Sequence, residues 1–134
     1  MEKIDPTIRF KMIGTGLKKI PYEKMPQMYL SSSILLFPSI YWEGLPPSVL
    51  ESLALKRLAI ASAIGGIPEI IMHGKNGFLV KPGDTDKIIE YILYLKNNPD
   101  ILKKMGEEGR KTIIEKFSKE KILEKFLKLY KNLI

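Results

Sequence analysis

Apolar residues along this chain follow two patterns. Up to about residue 80 they come in short runs separated by glycine and proline, and from residue 84 onward they recur at helical spacing. Thr7 to Ile13 alternates apolar and polar positions and then meets Gly14-Thr-Gly16, which predicts a strand stopped by a glycine loop. Residues 33–37, 57–62 and 78–80 are short apolar runs bounded by turn residues, as expected of strands buried on both faces of a parallel sheet. Tyr22, Met25, Met28 and Tyr29 sit near helical spacing and predict a helix over Pro21–Ser31. Pro46-Pro47 predicts a helix start before Ser48–Leu55, because proline lacks the N–H that would be unpaired at that position. Gly65-Gly66-Ile67-Pro68-Glu69 repeats that logic. Asp84 or Thr85 can cap a helix to Asn97, Pro99-Asp100 opens another to about Phe117, and Ser118 caps a last one. That last helix carries an apolar stripe of Ile122, Leu123, Phe126, Leu127, Tyr130 and Leu133, which needs cover from its own domain or a partner chain. Strands alternating with helices through short loops predict an α/β fold with a parallel sheet, helices on both faces, in a single domain over 1–134.

Composition narrows the chemistry. With no cysteine, disulfides, thiolate zinc sites and cysteine nucleophiles are excluded, and one histidine, His73, rules out a multi-histidine metal site within this chain. No apolar run approaches the ~20 residues of a membrane-spanning helix, and the charged start lacks the apolar core of a secretory signal. The net charge of +7 invites an anionic partner. Only Arg9, Arg57 and Arg110 are arginines, however, and residues 101–134 hold ten basic against five acidic groups. A nucleic-acid surface would concentrate arginine and interleave aromatics, so a solvated lysine-rich helix face fits better.

In open parallel sheets ligands bind where strand carboxyl ends feed helix N-termini. Three loops fit: Gly14–Lys18, Ser39–Ser48 and Ser62–Glu69. The middle loop offers the N–H groups of Gly44 and Leu45 and, beyond the two prolines, those of Ser48, Val49 and Leu50, a helix start suited to phosphate. Glu43 and Glu51 flank these donors, and carboxylates accept hydrogen bonds from vicinal hydroxyls, so a ribose and a hexose beside a phosphate suit the pair. The plainer alternative makes Glu51 a complement to the helix dipole and Glu43 a solvated loop residue.

The ordered motifs Phe37-Pro-Ser39, Glu43-Gly-Leu-Pro-Pro-Ser-Val-Leu-Glu51-Ser, Ala61-Ser62, Gly65-Gly66-Ile67-Pro68-Glu69, His73-Gly74, Asn76-Gly77-Phe-Leu-Val80, Pro82-Gly-Asp84 and Phe117-Ser118 resemble the group 1 (family 4) retaining glycosyltransferases. The resemblance runs from about Arg9 to Tyr130 and implies the carboxyl-terminal, sugar-nucleotide half of a GT-B enzyme built from two Rossmann-like halves. It implies that Glu43 contacts hexose hydroxyls near the reacting carbon and that Glu51 binds the ribose hydroxyls. Gly44 and Leu45 match positions whose amides face sugar and diphosphate, Ser48 and Val49 match the phosphate-facing helix start, and Gly14 and Gly16 fall in the donor loop. It further implies a UDP-, GDP- or ADP-hexose as substrate, with no metal or other cofactor. The family's acceptor half and the basic pair that neutralises the leaving diphosphate find no counterpart here.

The expectation is therefore a cytoplasmic hexosyltransferase donor domain whose chain lacks the acceptor half. Its expected partners are a nucleotide-sugar donor, a separate amino-terminal half, and a second copy through an exposed first strand, with anionic lipid under the basic last helix a lesser one. Alternatives left open are a non-catalytic nucleotide-sugar binding module or split-enzyme subunit, and a basic nucleic-acid-binding protein. His73 reads as a surface loop residue, and Trp42 either lines the cleft or packs on its neighbours.

Overall fold

A computed structural model describes residues 5–13 and 19–134. A 3-10 turn over Tyr22–Lys24 leads into α1 (Met25–Leu30), followed by β1 (Ile34–Phe37), α2 (Pro47–Ala54), β2 (Leu58–Ser62), α3 (Ile67–Ile70) and β3 (Gly77–Val80). Then come α4 (Thr85–Asn97), α5 (Pro99–Thr112), a π turn over Ile113–Phe117, and α6 (Lys119–Leu133). The three strands form one parallel sheet in the order β1-β2-β3, with Leu36 opposite Ile60 and Ile60 opposite Phe78.

Every residue of the central strand β2 is buried, which explains its uninterrupted apolar run. Ala59 and Ala61 face one side, where α2 and α3 supply Val49, Leu53, Ile67 and Ile70. Leu58 and Ile60 face the other, with Phe78 and Val80 of β3 and with Leu95 and Met105 of α4 and α5. The small alanines belong to the face on which α2 lies. Each fully buried leucine or isoleucine contributes roughly 1.5–3 kcal/mol. The result is the expected α/β/α layering, Rossmann-like in kind. Asp84 caps α4 by accepting from the Lys87 N–H at 3.1 Å, and Ser118 caps α6 by accepting from the Lys121 N–H at 3.4 Å.

Three expectations need correction. Residues 7–13 form no strand. Phe10, Met12 and Ile13 are exposed, so the segment buries too little apolar area to order a ladder. It is tied instead by polar contacts, Asp5 and Thr7 to Lys96 and Lys11 to Ser31. The helix from Pro99 does not continue as α to Phe117. At its end the Thr112 hydroxyl donates to the Glu108 carbonyl at 3.0 Å and accepts from Asn76 Nδ2 at 3.1 Å, back-bonding that loosens the next turn. Finally, of the two covers expected for the apolar stripe of α6, its own domain does not supply one. Extended backbone at Ser118 redirects the chain, no residue of α6 is buried, and Leu123, Phe126, Leu127, Tyr130 and Leu133 stand exposed.

Candidate functional site

Parallel strands in register bring the loops after β1, β2 and β3 to one edge of the sheet. The loop after β1 contains Glu43, Gly44 and Leu45, and the loop after β2 contains Gly65 and Gly66. The two loops are joined backbone to backbone. The Gly66 N–H donates to both the Glu43 and the Gly44 carbonyls at 3.1 Å. Gly65 has φ +55°, and a Cβ there would lie 1.6 Å from the Glu43 carbonyl oxygen. Only glycine permits both this backbone conformation and this approach. Gly44 faces open space.

The Glu43 side chain has a partner that its motif alone does not reveal. The Ser39 hydroxyl lies 3.0 Å from Glu43 Oε1 and within reach of the Tyr41 carbonyl, and the Tyr41 N–H donates to its oxygen at 3.3 Å. Ser39 therefore steadies the loop from the end of β1.

Pro46 and Pro47 do set the start of α2. The amides behave differently from the sequence expectation at two positions. The N–H groups of Val49 and Leu50 both donate to the Pro46 carbonyl, at 3.1 and 3.3 Å, so neither is free for a ligand. This first tight turn follows from Pro46, whose extended backbone aims its carbonyl into the helix. The Gly44, Leu45 and Ser48 N–H groups have no hydrogen-bond partner among the described residues. Gly14 and Gly16 lie outside those residues.

Glu51, in the second turn of α2, is held by side chains. Its Oε1 accepts from the Tyr22 hydroxyl and its Oε2 from the Tyr29 hydroxyl, each at 2.9 Å. Burial pushes the Tyr29 phenol well above its ordinary range, with its hydrogen bond to Glu51 adding to it, and Tyr22's own hydrogen bond to Glu51 raises the Tyr22 phenol. Sequence reasoning missed this pair. The signal present was two tyrosines seven residues apart at helical spacing, which also fits simple packing.

His73 is an exposed loop residue, as expected. Its Nδ1 accepts from the Leu79 N–H at 3.0 Å, and its ring meets Phe78 and Tyr91 edge-on. Of the two readings of Trp42, packing on its neighbours does not hold, since 83% of its surface is exposed. Among the described residues no three His, Asp or Glu side chains gather as metal ligands.

The family model "Glycosyl transferases group 1" matches residues 15–112. A putative glycosyltransferase, EpsD of Bacillus subtilis, is 32% identical over 96% of this chain and 38% of its own length. The carboxyl-terminal domain of a glycosyl transferase group 1 protein, LpcC of Francisella tularensis, superimposes with a TM-score of 0.70 at 27% identity, covering 77% of this chain and 53% of that one. A single-site mutant of Staphylococcus aureus TarM, solved with Fondaparinux, alpha-GlcNAc-glycerol and UDP, gives a TM-score of 0.72 at 32% identity, covering 80% of this chain and 22% of that one. The chain thus spans about two fifths or less of the length of the first curated relatives it matches.

Proposed function

This chain belongs to the glycosyl transferases group 1 family, and from that premise we propose that it forms the nucleotide-sugar donor domain of a GT-B hexosyltransferase. One observation carries the reading. At the edge of the sheet where ligands bind in this fold class, two carboxylates flank in sequence the backbone N–H groups of Gly44, Leu45 and Ser48, which have no partner among the described residues. Unpaired amides at a helix start suit a diphosphate, and the carboxylates suit the hydroxyls on either side of it. The presence of UDP in the TarM complex supports the same donor chemistry.

In this reading Glu51 accepts from the two ribose hydroxyls, Glu43 from hexose hydroxyls beside the reacting carbon, and the Ser48 amide faces the diphosphate. Gly44 and Leu45 amides serve the sugar and its adjoining phosphate. Transfer proceeds with retention: the acceptor oxygen bonds to the anomeric carbon on the face from which the diphosphate departs, and the acceptor's proton passes to the leaving phosphate oxygen. The domain's part is to stabilise the charge growing on that leaving group. An acceptor-binding half completes the enzyme. The exposed first strand expected at 7–13 as a pairing edge is absent, so the uncovered stripe of α6 is the surface on which that half or a second copy of this chain would sit. A nucleic-acid role is disfavoured, because the basic residues of 101–134 are lysines apart from Arg110, without the clustered arginines such a surface uses.

Calorimetric titration with UDP, GDP and ADP tests the reading. Charge-assisted hydrogen bonds contribute about 1.5–3 kcal/mol each, so Glu51→Ala should weaken the preferred nucleotide roughly 10- to 150-fold. Equal binding by Glu51→Ala and wild type would refute the ribose assignment.

A further inference from the structure

Both oxygens of Glu51 already accept a hydroxyl proton in the free chain, each from a phenol at 2.9 Å. Two O–H donors on one carboxylate are what a vicinal diol would offer, so the tyrosines occupy the diol's place or prepare it. The two phenols are not equivalent. Tyr29 lies on α1 with 7% of its surface exposed, whereas Tyr22, on the preceding 3-10 turn, is 72% exposed. A carboxylate has about four acceptor positions, so a fixed donor on Oε2 leaves room for a ligand on the same group. An exposed donor on Oε1 exchanges readily with water or with a ligand hydroxyl.

We propose that Tyr29 is a positioning residue that fixes the plane of the Glu51 carboxylate, while Tyr22 is a removable placeholder on Oε1 that the ligand's vicinal diol displaces. The inference rests on the reading of Glu51 as the ribose-binding carboxylate and adds how that carboxylate is kept in place before the ligand arrives. Two consequences follow in opposite directions. Removing the placeholder takes away a competitor, so Tyr22→Phe should tighten ribonucleotide binding, by about threefold if the bonded form dominates the free chain. Removing the positioning hydroxyl lets the carboxylate rotate, so Tyr29→Phe should weaken it by about three- to tenfold.

Ribose selectivity separates these effects from damage to the fold. The measurement is the ratio of dissociation constants for 2′,3′-dideoxy-UDP and UDP in wild type, Tyr22→Phe, Tyr29→Phe and Glu51→Ala. A general loss of structure weakens both nucleotides equally and leaves the ratio unchanged. The proposal expects the ratio to rise in Tyr22→Phe, fall in Tyr29→Phe and approach one in Glu51→Ala. A ratio unmoved by either tyrosine variant but abolished by Glu51→Ala overturns the proposal while the ribose reading stands. A ratio that survives Glu51→Ala, or wild type that binds no nucleotide at millimolar concentration, defeats the ribose reading and the proposal with it. Alkaline ultraviolet titration checks the free-state contacts without any ligand: Glu51→Gln should bring the Tyr22 phenol down toward its ordinary value and lower the Tyr29 phenol in part, burial still holding it up. An unchanged titration curve would also overturn the proposal.

Discussion

Glu43 and Glu51 stand eight residues apart and are held by opposite means. Glu43 sits on a loop whose course is set by backbone, with the Gly66 N–H bridging the Glu43 and Gly44 carbonyls and Gly65 pressed against the same segment. Among the described residues, only the Ser39 hydroxyl hydrogen-bonds its carboxylate. Glu51 sits on a regular helix, and two tyrosine hydroxyls from the α1 region hold its carboxylate. The comparison teaches that similar residues in one motif need different support. A loop carboxylate depends on what its backbone leans against, and a helical one depends on what aims its side chain.

The strongest way to break this contrast is at Gly65. Alanine there would need a left-handed backbone and a Cβ 1.6 Å from the Glu43 carbonyl oxygen, so the loop after β1 must move. We expect Gly65→Ala to lose about 3–5 kcal/mol in chemical denaturation, near the extreme for one substitution. A loss under about 1 kcal/mol would mean that the two loops do not lean on each other. Gly66→Ala is milder, with a Cβ 2.6 Å from the Gly44 carbonyl and ordinary φ, and should lose about 1–3 kcal/mol by overpacking.

Much of this frame is legible in the sequence. β1, β2 and β3 are short apolar runs bounded by turn residues; the sheet buries β2 throughout and most of β3, while β1 at the sheet's side is half-buried. Asp84 and Ser118 cap the helices they precede, because a side-chain oxygen one step before an apolar stripe has a local job that no tertiary contact overrides. The segment 7–13 has the right alternation yet pairs with no strand, and alternation cannot say whether a ladder forms. Asn76 reads as a turn residue, yet it is fully buried, bonding the Met72 N–H, the Ile70 carbonyl and Thr112 across 36 positions of sequence. The site divides in the same way. The glutamates and the unpaired amides follow from local spacing, while the Gly66 bridge and the tyrosine hydroxyls come from elements distant in sequence.

Two smaller effects sharpen the contrast. Ser39→Ala removes the hydroxyl that bonds Glu43 and should weaken a nucleotide sugar by a factor of about two to ten, with the bare diphosphate unaffected. On the Glu51 side, folding raises the Tyr29 and Tyr22 phenols above their ordinary value of 10.0. Above that pH the unfolded chain gives up protons that the folded chain keeps, so the stabilisation is fully present below pH 10.0 and is lost as pH rises through the higher folded values. Denaturation midpoints should therefore fall more steeply above pH 10.0 in wild type than in Glu51→Gln. Equal slopes would mean that Glu51 does not hold the phenols in solution.

The division of labour between the two carboxylates is tested most directly by crossing two variants against two ligands: Glu43→Ala and Glu51→Ala, each titrated by calorimetry with a nucleoside diphosphate and its hexose conjugate. The account predicts that Glu51→Ala weakens both ligands by roughly 10- to 150-fold, whereas Glu43→Ala weakens the conjugate and leaves the bare diphosphate nearly untouched. Equal loss of both ligands in Glu43→Ala, or no loss of the bare diphosphate in Glu51→Ala, would contradict it.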